Sequence, residues 1–206
     1  MLDYEDRFYS DEITAIVGVD EAGRGPLAGP VFAAACILPK GYHNPGINDS
    51  KKLTEKKREA LFEEIKENAL SYGIASMSAE EIDQFNIYEA TKRCMKKAIA
   101  QLKVPYQMII TDAMKLEGYD VPLLAMVKGD ANCENVAAAS ILAKVSRDRY
   151  MKQLEETYPN YKFSVHKGYG TKQHLEELKK FGPIEGVHRK TFGPVRRFYV
   201  EQLKLF

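Results

Sequence analysis

The sequence predicts an α/β chain, and three observations carry that expectation. Short apolar runs at Ile16-Val17-Gly18-Val19, Met108-Ile109-Ile110-Thr111 and Leu123-Leu124-Ala125-Met126-Val127 read as strands, and each leads into a carboxylate: Asp20-Glu21, Asp112 and Asp130. Between them lie stretches whose apolar residues recur every three or four positions, the period of a helix with one buried face. A glycine-rich turn after the first run is followed by a second apolar run bounded by Pro30 and Pro39, which makes a hairpin.

In chain order, the first strand ends at Asp20-Glu21 and the second is Val31 to Leu38. Between them, Gly23-Arg24-Gly25-Pro26-Leu27-Ala28 fits the template of a dinucleotide-binding turn. That template opens a helix at its second glycine, whereas a strand-like run follows here, so the hairpin reading is preferred. Neighbours in a regular strand point to opposite faces. Either one of Asp20 and Glu21 is at a site, or the strand has ended by Glu21 and the turn swings it round. After a loop from Gly41 to Asp49, Thr54 caps a helix that buries Leu61, Phe62 and Ile65. Tyr72 to Met77 adds a short strand. Ser78 with Glu81 has the capping-box pattern, and Asn86 with Glu89 starts a longer helix. That helix buries Ile87, Ala90, Cys94, Ala98 and Leu102, and Pro105 closes it. Beyond Asp130, Val136 to Val145 is an Ala-rich helix whose small side chains allow close approach to a sheet. The last quarter holds His166-Lys167-Gly168-Tyr169-Gly170-Thr171, a helix from Lys172 stopped by Gly182-Pro183, and a basic segment from His188 to Arg197.

No repeat or linker divides the 206 residues, so one domain over 1–206 is expected, with a helical appendage from about residue 160. Hydrophobic residues make up 45% and charged residues 29%, an ordinary soluble composition. The net charge of +1 does not announce a polyanion partner, because a carboxylate-rich site hides basic patches in the sum. Cys36, Cys94 and Cys133 are odd in number and widely spaced, which fits neither a disulfide framework nor a zinc site; they read as buried apolar residues in a reducing compartment. The acidic start lacks the pattern of a signal peptide, and no apolar run reaches membrane-spanning length. A cytoplasmic monomer with no membrane association is expected.

Asp20, Glu21, Asp112 and Asp130 are four hard oxygen donors from separate segments. Like charges in proximity raise one another's pKa, so such a set calls for cations. Oxygen-only ligands select Mg²⁺ or Mn²⁺ over zinc. Two such ions about 3.5–4 Å apart can activate a water and stabilise the leaving oxygen of a phosphodiester. Any one of these acids alone reads as a solvated turn residue; the four together read as a metal cage. An adaptor that binds a hybrid duplex or a clamp without assembling the acids is the competing class.

These stretches resemble bacterial ribonuclease HII. The similarity is carried by Val19-Asp20-Glu21-Ala22-Gly23-Arg24-Gly25-Pro26-Leu27-Ala28-Gly29-Pro30-Val31, Asn48-Asp49-Ser50-Lys51-Lys52-Leu53 and Lys128-Gly129-Asp130. It continues through Ala137 to Val145 and His166 to Thr171. The resemblance implies an RNase H-like fold, a five-stranded mixed sheet with three antiparallel strands first, flanked by helices, with a C-terminal helical appendage. It implies endonucleolytic cleavage of RNA in RNA–DNA hybrids and 5′ of a single ribonucleotide in DNA, leaving 3′-hydroxyl and 5′-phosphate, with roles in ribonucleotide excision and primer removal. By the same resemblance Asp20, Glu21, Asp112 and Asp130 are the metal-binding acids. Gly23-Arg24-Gly25 reads the 2′-hydroxyl through backbone, which only side-chain-free residues bring close enough. Arg24 is then a phosphate clamp, and Tyr169 stacks on the neighbouring deoxyribose. One departure stands out: many members carry Asp-Gly at the third acid, where this chain has Asp112-Ala113-Met114.

Lesser features keep two readings each. Lys51 and Lys52 contact phosphates or begin a solvated helix. Lys144, Arg147 and Arg149 make a basic stripe near the fourth acid, with Asp148 a supporting partner rather than a ligand. His43, His166, His174 and His188 form no metal pair at helical spacing. Arg189, Lys190, Arg196 and Arg197 are a duplex-binding face or a solvated surface. Gln202-Leu203-Lys204-Leu205-Phe206 resembles the short peptide by which bacterial replication proteins dock on the sliding clamp, the alternative being an amphipathic helix end.

Overall fold

Five strands and seven helices are laid out in a computed structural model that describes residues 4–48 and 50–203, the last three of these by backbone alone. The strands are β1 (Ile16–Ala22), β2 (Val31–Ile37), β3 (Ser71–Met77), β4 (Met108–Asp112) and β5 (Leu123–Met126). The helices are α1 (Glu55–Asn68), α2 (Ala79–Ile99), α3 (Gly129–Asn132), α4 (Glu134–Thr157), α5 (Phe163–His166), α6 (Lys172–Phe181) and α7 (Gly193–Leu203).

The strands form one sheet in the order β3-β2-β1-β4-β5. β1, β2 and β3 pair antiparallel, while β4 and β5 run parallel to β1. This is the five-stranded mixed sheet of the RNase H-like fold. Alternation along the strands divides two cores. Val17, Val19, Ala33, Ala35 and Ile37 face α2 through Ile82, Ala90, Cys94, Met95 and Ala98. Ala34 and Cys36 face α1 and α4 through Leu61, Phe62, Ile65 and the alanines Ala137 to Ala139. All three cysteines are buried and free.

Local signals set several boundaries. Thr54 accepts a hydrogen bond from the Lys57 amide and starts α1. Ser78 and Glu81 complete a capping box at the start of α2. Asn86, with φ 64°, kinks that helix, and its Oδ1 accepts from the Tyr88 and Glu89 amides, so it caps the second part as expected. The helix stops at Ile99, earlier than a Pro105 stop predicts. Gly18 explains how α4 lies so close to β1: a Cβ there would stand 2.1 Å from the carbonyl carbon of Asn135. At the start of α4, the Glu5 carboxylate accepts from the Glu134 and Asn135 amides and anchors the N-terminal segment.

The segment after α4 builds a third core, in which Leu27 and Ala28 of the glycine loop pack with Met151, Tyr161, Phe163, Leu178 and Val187. Main-chain bonds stitch that loop on both sides. Leu27 donates to Gly168, Gly29 donates to Val187, and Arg189 donates to Leu27. One alternative is excluded and one expectation corrected here. Asp20 and Glu21 both lie inside β1, which stays paired with β2 through Ala22. Asp130 is not at a strand end, because β5 stops at Met126 and Lys128 turns the chain with φ 60°, placing Asp130 in the first turn of α3.

Candidate metal centre and nucleic-acid cleft

The parallel register of β1 and β4 sets Val19 beside Thr111, so Asp20 and Asp112 emerge side by side at the same end of the sheet. The short α3 brings Asp130 to them. One carboxylate oxygen from each of Asp20, Asp112 and Asp130 falls within 4.8 Å of the others. Asp20 is 3% exposed and Asp130 6%. The Gly129 amide donates to Asp112 Oδ1 at 2.9 Å, and the Glu21 amide to Asp20 Oδ1 at 2.7 Å.

Glu21 stands just outside this triad. Its register partner Ala33 faces α2, whereas Ala34, the partner of Asp20, faces α4. The two neighbouring acids therefore leave the strand on opposite faces, as regular strand geometry requires. Glu21 Oε1 accepts from Arg24 at 3.4 Å, while its Oε2 is buried with no hydrogen-bond partner. Burial raises the Asp20 carboxyl well above the ordinary range, and the charges of Glu21 and Asp112 push it further. Burial likewise raises Glu21, against the pull of Arg24. Three converging carboxylates and an orphaned carboxylate oxygen fit divalent cations, which would relieve both the repulsion and the unmet oxygen.

Beside the acids, a cleft of about 420 Å³ is lined by Glu21, Gly23, Arg24, Gly25, Ser50, Lys51, Arg58, Lys144 and Tyr169. Tyr169 is 44% exposed. A Cβ on Gly25 would lie 3.6 Å from the Tyr169 ring, so ring and loop face one another across the opening. Lys51 Nζ is 3.8 Å from Asp130 Oδ2 and links the cleft to the triad. Lys52 is exposed and does not line the cleft. Asp49, like residues 204–206 of the clamp-like tail, lies outside the described residues.

With this geometry in place, the chain matches the family model for ribonuclease HII over residues 17–195. The chain belongs to the ribonuclease HII family. Ribonuclease HII from Bacillus cytotoxicus is 51% identical over 196 residues, 95% of this chain and 75% of that protein. The ribonuclease H2 of Pyrococcus horikoshii has a similar structure, with a TM-score of 0.79 at 28% identity over 92% of this chain and 99% of that one. A further solved relative is the ribonuclease HII of Archaeoglobus fulgidus, captured in complex with PCNA. It has a TM-score of 0.72 at 27% identity, covering 87% of this chain and 95% of that chain. The chain is thus a ribonuclease H, a metal-dependent endonuclease that hydrolyses RNA in RNA–DNA hybrids.

Several residues sit where sequence alone did not put them. Of the predicted basic stripe, Lys144 and Arg147 line the cleft while Arg149 does not. Lys144 binds Asp148 at 2.7 Å, Arg149 pairs with Glu59 and Glu63, and Arg147 is buried. Asp148, itself buried, gathers Lys144 and Arg58, which supports its reading as a partner and not a ligand. Arg189 is not on a duplex-facing surface but is fully buried. Ser50 and Ser140, hydrogen-bonded to each other at 2.8 Å, were missed, although Ser50 lies within the Asn48-Asp49-Ser50-Lys51 motif and Ser140 within the Ala-rich one. Ser140 also hydrogen-bonds Asp20 and draws its pKa down. Three of the four histidines form one buried cluster, invisible as a spacing pattern.

Proposed function

We propose that this protein cuts duplex DNA 5′ of a single embedded ribonucleotide as well as RNA in longer hybrids, leaving a 3′-hydroxyl and a 5′-phosphate. The observation that carries the reading is that the glycine loop, Tyr169 and Glu21 line one cleft, whose Lys51 stands 3.8 Å from Asp130 of the acid cluster. Asp20, Glu21, Asp112 and Asp130 would hold two divalent ions, Mg²⁺ or Mn²⁺. Such ions, when bound, activate the attacking water and neutralise charge on the leaving oxygen.

The protein's own part is to position the strand and recognise the sugar. Arg189 occupies the carbonyls of Gly23 and Arg24 from within the fold, so recognition of a 2′-hydroxyl falls to the loop's outward backbone. Gly25 leaves room for that approach. Tyr169 offers a ring face to the adjoining deoxyribose, and a DNA sugar there, with no 2′-oxygen, packs against it without a polar mismatch. Arg24, Lys51 and Lys144 supply cations along the cleft for backbone phosphates. Lys52 joins them only with a longer strand. The sequence Gln202-Leu203-Lys204-Leu205-Phe206 is read as a docking peptide for a sliding clamp, and the clamp complex of the Archaeoglobus fulgidus relative supports clamp association in the family.

A Mg²⁺ titration against a duplex carrying one ribonucleotide tests the assignment. The expected outcome is a single cut 5′ of the ribonucleotide, with ends that a ligase-type assay reads as 3′-hydroxyl and 5′-phosphate. A mobility shift without product at any Mg²⁺ or Mn²⁺ concentration overturns it.

A further inference from the structure

His188 and Arg189 are adjacent, buried, and reach in different directions. The Arg189 guanidinium donates to three carbonyls of the glycine loop: Gly23 at 2.6 Å, Arg24 at 2.9 Å and Gly29 at 2.8 and 3.0 Å. No carboxylate pairs with it among the described ion pairs; the loop's carbonyl dipoles stabilise the buried charge. His188 reaches the other way, with Nε2 3.1 Å from His174 Nε2, and His174 Nδ1 is 2.9 Å from the Tyr169 carbonyl.

The hydrogen bonds fix every proton in this chain. The Ile184 amide donates to His188 Nδ1, so His188 carries its proton on Nε2 and donates to His174 Nε2. His174 must then carry its proton on Nδ1, and donates to the Tyr169 carbonyl. His166, stacked on His174 at 4.2 Å, accepts the Gly168 amide at Nδ1 and bonds Glu177 through Nε2. Burial and mutual repulsion hold His174 down to about 4 and His188 to about 3, so both rings stay neutral and the donor order is kept.

We infer that the His188-Arg189 dipeptide is a positioning bridge that locks the glycine loop and Tyr169 into one fixed relative geometry, and so sets discrimination for an RNA–DNA junction. Loop and tyrosine come from segments more than a hundred residues apart, on either side of the opening. Arg189 holds the loop carbonyls directly, and His188 reaches the Tyr169 carbonyl through His174. Main-chain bonds such as Leu27 to Gly168 already join the two segments; the bridge adds a hold on the loop's other carbonyls and on the Tyr169 carbonyl, and small displacements at a reacting centre are costly. The inference rests on the junction reading above, in which loop and ring together recognise the site.

The test compares cleavage at a lone ribonucleotide with cleavage inside a continuous hybrid, which presents no junction. The ratio of kcat/KM for the two substrates is independent of how much of each preparation is folded, so simple destabilisation leaves it unchanged. Arg189→Lys keeps the charge but replaces a planar fork of three nitrogens with a single one, which cannot reproduce the Nε, Nη1 and Nη2 geometry toward Gly23, Arg24 and Gly29, and His174→Phe keeps the stacking but loses the bond to Tyr169. Both are expected to lower the ratio by about tenfold or more, mainly through kcat at the lone ribonucleotide, as for lost orientation of reacting groups. His188→Gln, whose amide nitrogen still donates to His174, is expected to keep most of it. Tyr169→Ala is the control. If Tyr169→Ala loses the ratio while Arg189→Lys and His174→Phe keep it, the bridge is refuted and the junction reading survives. If Tyr169→Ala itself keeps the parent ratio, the junction reading falls and the bridge with it. Should His174→Phe not fold, Arg189→Lys decides alone.

Discussion

The Gly129 amide donates a 2.9 Å hydrogen bond to Oδ1 of Asp112, tying the end of β4 to the start of α3. The bond fixes the start of the helix that carries Asp130, and an Asp112 carboxylate oxygen stands within 4.8 Å of one from Asp20 and one from Asp130. It also makes Asp112→Asn an informative variant. The amide oxygen must remain toward Gly129, so the NH₂ group is turned into the cluster, where a donor replaces an acceptor. Fold and duplex binding are therefore expected to survive while cleavage falls at least about a hundredfold, the scale of one transition-state electrostatic contact removed. Single-turnover cleavage and a mobility shift on the same duplex check this; full Mg²⁺-dependent cutting by the variant would show that Asp112 is not part of the centre.

Two glycines of the same loop are expected to behave oppositely. Gly23 has φ 99°, and a Cβ there would lie 2.1 Å from Arg147 Nε. Gly23→Ala should destabilise the protein by about 1–3 kcal/mol through backbone strain and displacement of that buried side chain. A Cβ on Gly25 meets only the Tyr169 ring at ordinary contact distance. Gly25→Ala should therefore melt within about 0.5 kcal/mol of the parent, as for an exposed substitution, yet cut a lone ribonucleotide at least about tenfold more slowly, because the added methyl blocks the approaching sugar. Chemical denaturation and cleavage rates measured on both variants separate the two effects. Parent-like cutting by Gly25→Ala would mean that the substrate does not approach the loop there.

Much of this architecture was legible because it depends on short-range patterns. Short apolar runs gave β1, β2, β4 and β5, the stretch from Tyr72 gave β3, helical spacing gave α1 and α2, an Ala-rich run gave α4, and the boxes at Ser78 and Asn86 gave both starts within α2. The three aspartates of the cluster were legible as chemistry, though not all as geometry. Asp130 was expected at a strand end, but the left-handed turn at Lys128 ends the strand early and hands the acid to a helix. Arg189 was misread for a different reason. A basic residue in a basic run belongs at the surface by default, and only a tertiary contact with a loop 160 residues earlier supplies the carbonyls that make its burial tolerable. The histidines resisted for the same reason, since residues 166, 174 and 188 follow no helical period and meet only because α6 and the following loop fold over Tyr161 and Phe163.

The burial of Asp20 makes a final prediction about metal removal. Its folded pKa is raised, so the protonated form is the one favoured by folding. The stability it contributes is complete below the unfolded value, near the ordinary aspartate pKa of about 3.9, and is lost as pH rises through the raised folded value. Once ionised without divalent ions, the buried carboxylate is a liability, and a bound cation takes the place of the proton. Asp20→Asn mimics the protonated state permanently while its Oδ1 can still accept the Glu21 amide. In chelator at pH 7 the variant should melt at or above the parent, and the difference should shrink on acidification. Added Mg²⁺ or Mn²⁺ should raise the parent's melting temperature, by about 2.7 kcal/mol of stabilisation at a hundredfold excess over the dissociation constant, and raise the variant's much less. Thermal melts in chelator and in each metal, at pH 7 and pH 5, measure all four terms. A parent more stable than Asp20→Asn in chelator, or an equal response of both proteins to metal, would contradict the assignment of Asp20 as a buried carboxylate whose charge the metal balances.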